Sequence, residues 1–325
     1  MKKIGLWMLG ILNFTWLSLL LIIEVIWQQP FLAPYPAIVS STDSTVIARG
    51  KYLVYGPAHC AMCHVPQEHM EDLDQGIMAP LSGGGEFSFP MGTFRAPNLT
   101  SDQATGIGQY SDGQLARALR HGVSASGHMI FPFMPYQQIS DEDLTAIISY
   151  LRSTEPVEHE VPASQWTTWG KITVALGWMQ PLSPQSPPPV SVEKGVNVAY
   201  GGYLAQHVAN CLDCHTNRNT QTGDFISGPF GGGFQFGPDG YTQGFTFFSP
   251  NLTTDSTTGL LASWTEEVFI NRFKAGRIQA GSPMAWGAFY HMDEVDLKAL
   301  YAYLTSLEPI QNQVPFTVLP PGEED

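Results

Sequence analysis

The hydrophobic pattern opens with an almost unbroken apolar run from Ile4 to Trp27, which is interrupted by Asn13 and Glu24. A helix of this length can cross a bilayer, whereas the apolar region of a cleaved signal peptide is shorter. The pattern therefore predicts an N-terminal transmembrane anchor over residues 1–30. Lys2 and Lys3 precede the run, so the positive-inside rule places the rest of the chain on the periplasmic side of a bacterial inner membrane.

Two later segments have the apolar spacing of amphipathic helices: SDEDLTAIISYLRS from Ser140 and MDEVDLKALYAYLTS from Met292. Both begin with acidic residues, which suit a helix N-terminus. Between them, residues 156–194 end in a proline-rich stretch that is typical of a linker, although the apolar ITVALGW within it predicts a helix packed on a domain or on a partner. The 32 glycines and 25 prolines of the whole chain predict many loops.

The charge balance restricts the classes of partner. The chain has 15 basic and 29 acidic residues, a formal charge of -14. A nucleic-acid-binding protein needs the opposite sign, so that class is excluded. An acidic surface favours transient docking to a basic protein partner.

The cysteines carry the most specific chemistry of the sequence. All four fall in two copies of C-x-x-C-H, formed by Cys60, Cys63 and His64 and by Cys211, Cys214 and His215. Two thiols one helical turn apart can add to the two vinyl groups of one porphyrin, and the following imidazole can ligate its iron. Since no cysteine is left over, the sequence predicts two covalently bound haem c groups rather than disulfides.

The motifs belong to a longer internal repeat. GKYLVYGPAHC from Gly50 matches GGYLAQHVANC from Gly201, and PNLTSDQATGIG from Pro97 matches PNLTTDSTTGLL from Pro250. The offset is 151 residues for the first cysteines and 153 for the PNLT segments. Gly50 and Gly201 pair with Tyr150 and Tyr303, which indicates a close crossing of the first and last helices of each copy.

The same offset selects the sixth iron ligands. Met134 and Met284 differ by 150 residues, whereas Met129 with Met284 gives 155 and Met134 with Met292 gives 158. We therefore predict His64 and Met134 as the iron ligands of one haem, and His215 and Met284 as those of the other. Histidine with methionine saturates the iron, which favours electron transfer over substrate binding.

Supporting residues follow from the repeat as well. A ligating imidazole usually donates its second nitrogen to a fixed acceptor, and the repeat-matched carbonyls of Pro80 and Pro229 are the candidates. Asn98 and Asn251 could bind a haem propionate or the methionine sulfur, although an Asx turn would also explain them.

These motifs resemble class I c-type cytochrome domains, and specifically the cytochrome c subunits of bacterial membrane-bound alcohol, gluconate and sorbitol dehydrogenases. The likeness includes G-x-Y-L before each motif, CHTNRN after the second and PNLT-x-D beyond both. It implies an all-α fold of two tandem cytochrome c domains behind one transmembrane helix. The expected division is a first domain at 42–155, a linker at 156–194, a second domain at 195–312 and a tail at 313–325.

The resemblance implies an electron-transfer protein and not an enzyme. Such a dihaem cytochrome would carry single electrons between a dehydrogenase or another membrane redox complex and a terminal acceptor. The complex could be a quinol-oxidising complex, an oxidase or a photosynthetic centre. The competing hypothesis is a dihaem peroxidase or thiosulfate-type oxidoreductase with one displaceable axial ligand, and a gas-binding sensor is a third.

Overall fold

The computed structural model describes residues 2–219 and 223–323. Its helices are short apart from the first: α1 Lys2–Trp27, α2 Ser44–Tyr55, α3 Ala61–His64, α4 Met70–Asp74, α5 Asp112–His121, α6 Asp141–Ser153, α7 Thr168–Ala175, α8 Val198–Tyr203, α9 Cys211–Cys214, α10 Glu266–Lys274, α11 Trp286–Phe289 and α12 Glu294–Thr305. A π-helical turn, Leu204–Val208, continues α8. Long loops join these elements.

The expected all-α fold is wrong, because two small antiparallel sheets accompany the helices. The first has the order β1 Glu86–Phe89, β2 Gly92–Arg95 and β3 Gln165–Trp166, and the second β4 Gln235–Phe236, β5 Thr246–Phe248 and β6 Val318–Leu319. In the first sheet, Phe94 stacks on Phe131 with ring centroids 4.1 Å apart. Trp166 meets the Phe94 ring edge-on, with ring centroids 4.8 Å apart. Aromatic side chains fit a pleated surface, so this cluster stabilises strands where a loop was expected.

The expected transmembrane anchor over residues 1–30 is also wrong. Within the described part of the chain, no helix has both the length and the apolar character that crossing a membrane requires. The last turns of α1 are fastened to the rest of the protein instead. Glu24 forms an ion pair of 2.8 Å with Lys171 of α7, and Trp27 packs against Trp166. The side chains of Lys2 and Lys3, on which the orientation prediction depended, lie outside the described residues.

Each copy of the repeat is closed by a helix crossing. In the first copy α2 crosses α6, and in the second α8 crosses α12. A Cβ atom added at Gly50 would lie 1.9 Å from the Ala146 carbonyl oxygen, and one added at Gly201 would lie 1.9 Å from that of Ala299. Only glycine permits this approach, so the predicted close crossing is confirmed in both copies.

The starts of α6 and α12 follow the sequence signals. Ser140 caps α6 by accepting a hydrogen bond from the Asp143 amide, and Asp293 caps α12 by accepting one from the Asp296 amide. Acidic residues occupy both first turns, as the helix dipole favours. The apolar faces of both helices enter one continuous core that spans the two copies.

The segment between the copies is ordered in the described structure. It contributes β3 to the first sheet and forms α7, whose cap is the Thr167 hydroxyl. Helix α7 packs on α1. The predicted helix in ITVALGW is therefore present, and it leaves Trp178 two-thirds exposed.

Candidate haem-binding sites

The first C-x-x-C-H motif forms a one-turn helix. Cys60 precedes α3, so that Cys63 lies one turn further on, and both thiols are free. The His64 ring is buried, and its Nδ1 lies 2.8 Å from the Pro97 carbonyl oxygen. A carbonyl can only accept, so Nδ1 carries the proton and Nε2 is left as the metal-binding nitrogen.

The second motif repeats this arrangement. Cys211 and Cys214 begin and end α9, both thiols are free, and His215 Nδ1 lies 3.1 Å from the Pro250 carbonyl oxygen. Within the described residues no other nitrogen or oxygen bonds either imidazole. Two thiols and one oriented imidazole are the donor set that covalent haem c needs, so the residues of both sites fit that group.

The prediction that Pro80 and Pro229 accept these hydrogen bonds is wrong. Both prolines are exposed, while the acceptors are Pro97 and Pro250. The reason is that the PNLT segments pass beside the imidazoles, whereas the loops that contain Pro80 and Pro229 do not supply the acceptor. The repeat did contain this signal, since Pro97 and Pro250 open its best-matched segment.

That Asn98 and Asn251 bind haem atoms stays a prediction, and both side chains have hydrogen-bond partners inside the protein. Asn98 Oδ1 accepts from the Thr100 amide at 2.9 Å, and its Nδ2 donates to the Val157 carbonyl at 2.8 Å. Asn251 makes the equivalent bonds to Thr253 and Ile310, at 3.0 and 2.7 Å. These are Asx turns that fasten the PNLT loop beneath each histidine to the chain after the last helix.

Met134 and Met284 lie where the repeat places them, in the loops before α6 and α11. Both are partly buried and pack against the core. The Gln137 side chain donates to the Met134 carbonyl at 2.8 Å, and the Trp286 amide donates to the Met284 carbonyl at 2.7 Å. Their ligation stays a prediction. The rejected alternative Met292 is fully buried at the start of α12, as expected of core packing, and Met129 is buried as well.

The electrostatic environment suits neutral ligands. Burial lowers the pKa of His64 and of His215, so that both imidazoles stay unprotonated at neutral pH. Burial also raises the pKa of the Cys60 and Cys211 thiols to about 12. The raised pKa of these thiols argues against a redox dithiol, which needs a lowered thiol pKa.

Sequence reasoning missed two features of the sites. The residue before each first cysteine is left-handed, with φ of 42° at His59 and 54° at Asn210. Arg120 of α5 donates to the Gln137 carbonyl at 3.1 Å and pairs with Asp141 at 2.6 Å, so it holds the Met134 loop against α6. An arginine in a basic, amphipathic helix gave no signal for that role.

A histidine behind two thiols one turn apart is the residue set that a covalently bound haem needs. Residues 47–155 match the family model of the cytochrome c domain. The prediction of covalently bound haem c is confirmed for that domain.

Three relatives illustrate the similarity. The fructose dehydrogenase cytochrome subunit of Gluconobacter japonicus is 29% identical over 286 residues, which cover 84% of this chain and 54% of the relative. The cytochrome c subunit of the quinone alcohol dehydrogenase of Gluconacetobacter polyoxogenes is 29% identical over 82% of this chain and 57% of its own. A diheme cytochrome c-type protein of Cereibacter sphaeroides is 27% identical over 51% of this chain and 56% of its own length.

The chain thus spans about half the length of the dehydrogenase cytochrome subunits that it matches. The first two of these relatives are named as cytochrome subunits of dehydrogenases, and the third as a dihaem cytochrome.

Proposed function

We propose that this chain is a dihaem c-type cytochrome that passes single electrons between a redox enzyme and a terminal acceptor. The observation that carries the proposal is the duplicated site geometry. In both copies a free thiol pair precedes a histidine whose Nδ1 donates a hydrogen bond to the proline carbonyl of a PNLT loop. When bound, haem c supplies a one-electron redox centre.

When haem is bound, the chain's own residues would hold each iron. His64 and His215 would provide a nitrogen ligand, oriented through Pro97 and Pro250. Met134 and Met284 would provide a sulfur ligand from loops that are hydrogen-bonded at the ligand residue itself. With both ligands bound, no coordination position would remain open for substrate, which separates this function from the peroxidase alternative.

The partner is proposed to be a dehydrogenase or another membrane redox complex. The names of the relatives support the first choice, because several are cytochrome subunits of dehydrogenases. From residue 28 onward the chain has 13 basic and 28 acidic residues, a net charge of -15. This charge suits brief docking to a basic surface. We place the haem domains in the periplasm, beside the bacterial inner membrane.

The haem count is tested by intact mass spectrometry of the purified holoprotein, together with alkaline pyridine spectra. Two haems per chain are expected. Replacing Cys60 and Cys63 by alanine should remove one of them, and replacing Cys211 and Cys214 should remove the other. A wild-type chain with one haem, or a second double variant that loses none, would contradict the proposal.

The axial ligands are tested by the methionine-to-iron charge-transfer band of the oxidised protein. Its amplitude should match two methionine-ligated haems per chain. Met134→His and Met284→His should each remove one haem's share, while the matched core variant Met292→Leu leaves the band unchanged. The partner is tested by mild solubilisation of native membranes and identification of the protein that co-migrates in stoichiometric amount.

A further inference from the structure

One ion pair joins the haem motif of the first copy to the loop of the second copy that carries Met284, residues 277–284, called here the methionine loop. Asp74 is the last residue of α4, ten residues after His64, and Arg277 lies between α10 and α11, seven residues before Met284. Arg277 Nε lies 2.6 Å from Asp74 Oδ2. Both side chains are largely buried, so the pair is shielded from solvent.

The same guanidinium holds the methionine loop. Arg277 Nη1 donates to the carbonyl of Ser282, two residues before Met284. Arginine's planar fork allows it to bind the carboxylate and the carbonyl at once, which a lysine ammonium cannot do in the same geometry. Arg277 therefore ties this loop to the other copy.

The helix that follows Met284 is docked on the same element. Helix α11 contacts α4, and a Cβ added at Gly287 would lie 2.8 Å from Asp74 Oδ1 and 3.0 Å from the Leu73 carbonyl carbon. Asp74 Oδ1 is buried and has no hydrogen-bond partner in the part of the chain that the structure describes. Glycine thus lets α11 seat directly on the Asp74 carboxylate.

Tyr241 marks where this junction lies. Its hydroxyl is 3.4 Å from the Pro283 carbonyl, beside Met284. The Tyr241 ring therefore lies against the loop that Arg277 holds, next to the predicted ligand of the second site.

Among the described residues, no ion pair ties the Met134 loop of the first copy to the second copy. That loop is held by Arg120 and Asp141, both of the same copy. At the repeat offset of 150, the position of Arg277 is occupied by Gly127. The ion pair therefore connects the first haem motif to the Met284 loop, and the Met134 loop is held within its own copy.

We propose that Asp74 and Arg277 are positioning residues that hold Met284 at the second haem site, so that ligation there depends on the first domain. This inference rests on the proposed function, in which Met284 is an axial ligand. Loss of the ion pair should free the 277–284 loop and lower the occupancy of the methionine at one haem of the two.

The test compares oxidised holoproteins of wild type, Asp74→Asn and Arg277→Lys. The matched control is Glu86→Gln, which breaks the ion pair of 2.6 Å between Glu86 and Arg95 in the first sheet. Haem content comes from pyridine spectra, and methionine ligation from the charge-transfer band per chain. Asp74→Asn should keep both haems and lose up to about half of the band, because only one of two ligand loops is released. Arg277→Lys should give an intermediate amplitude, and Glu86→Gln the wild-type amplitude.

Full amplitude in both Asp74→Asn and Arg277→Lys would overturn the inference, as would an equal loss in Glu86→Gln. Loss of the whole band in Asp74→Asn would also overturn it, since the effect would not be confined to the second site. A wild-type band of one-haem amplitude would instead contradict the Met134 and Met284 assignment, so the two failures are distinguishable. If Asp74→Asn does not accumulate, the intermediate amplitude expected of Arg277→Lys decides.

Discussion

The Tyr52 hydroxyl of the first copy donates a hydrogen bond of 2.7 Å to the Asp296 carboxylate of the second. The same hydroxyl accepts a bond of 3.0 Å from the amide of Asp293, the residue that caps α12. Asp296 is fully buried. Helix α2 of one domain is therefore fastened to the first turn of the last helix of the other.

The contact is reciprocal. Tyr203, 151 residues after Tyr52, donates to Asp143 at 2.8 Å and accepts from the Ser140 amide at 3.1 Å. Each aspartate also has a partner in its own copy: Arg49 binds Asp143 at 2.9 Å, and Tyr200 donates to Asp296 at 3.0 Å. Equivalent residues thus face each other across the junction, as in the isologous contact of a homodimer.

Removing either hydroxyl should destabilise the protein. Tyr52→Phe and Tyr203→Phe each delete a hydrogen bond to a buried carboxylate, which costs about 1–3 kcal/mol. Each loss should lower the melting temperature of the holoprotein by roughly 2–8 °C. Differential scanning calorimetry measures the shift at fixed haem content.

The matched control is Tyr110→Phe, because the Tyr110 ring is exposed and its hydroxyl makes no hydrogen bond in the described structure. Its melting temperature should stay within about 1 °C of wild type. Equal shifts in all three variants would show that the reciprocal contact does not stabilise the junction.

The helix crossings give a second prediction. Gly50→Ala and Gly201→Ala each place a Cβ 1.9 Å from a backbone carbonyl oxygen, which cannot move without separating the helices. We expect each to cost about 3 kcal/mol or more, at the upper end for overpacking. Urea unfolding monitored by circular dichroism measures the loss.

Gly240→Ala is the control for that series, since no atom lies within 4 Å of its added Cβ. It should leave the unfolding midpoint unchanged. If Gly50→Ala behaved in the same way, the crossing of α2 and α6 would have room that the structure does not provide.

The parts that could be predicted from the sequence are those that the repeat states twice. Cys60 and Cys211, the crossing glycines and the two terminal helices all recur at nearly constant spacing, so each copy checks the other. The predicted start of the last helix in the first copy, Ser140, is its N-cap. Local chemistry and the period of the pattern decide these features.

The features that could not be predicted depend on distant parts of the chain. Strand β3 pairs Gln165 with Thr93, and the Asn98 amide bonds the carbonyl of Val157. Such pairings are chosen by packing, and nothing local to either residue encodes its partner. The repeat alignment narrowed the histidine acceptor to a proline but selected Pro80 instead of Pro97, because only the fold determines which loop passes the ring.

The hydrogen bonds of the PNLT asparagines give a third prediction. Asn98→Ala removes bonds to Thr100 and Val157 inside the protein and leaves buried groups without partners. The loss of stability should be about 3 kcal/mol. The haem spectrum per haem should remain that of wild type, because the amide faces the chain after α6 rather than the cofactor. Calorimetry and the absorption spectrum of the same sample measure both.

Asn271→Ala controls for the loss of an amide, since Asn271 is an exposed residue of α10. It should change stability by no more than about 0.5 kcal/mol. A changed haem spectrum with unchanged stability in Asn98→Ala would instead favour a contact between this asparagine and the haem.

The last prediction concerns acid stability and the loop after the second PNLT segment. Hydrogen bonds from Thr258 and Thr257 lower the pKa of Asp255 from 3.8 to about 2. The folded protein therefore holds the ionised form more tightly than the unfolded chain does. The resulting stabilisation is complete above pH 3.8 and is lost as the pH falls toward 2.

In Asp255→Asn this contribution is missing, so the difference in melting temperature from wild type should be constant above about pH 4.5 and shrink below pH 3.8. Melting curves at half-unit steps of pH measure it. Glu308→Gln changes an exposed carboxylate with no side-chain hydrogen bond among the described residues, and its difference should not follow that course. A constant difference for Asp255→Asn down to pH 2 would mean that the threonine bonds do not favour the ionised carboxylate.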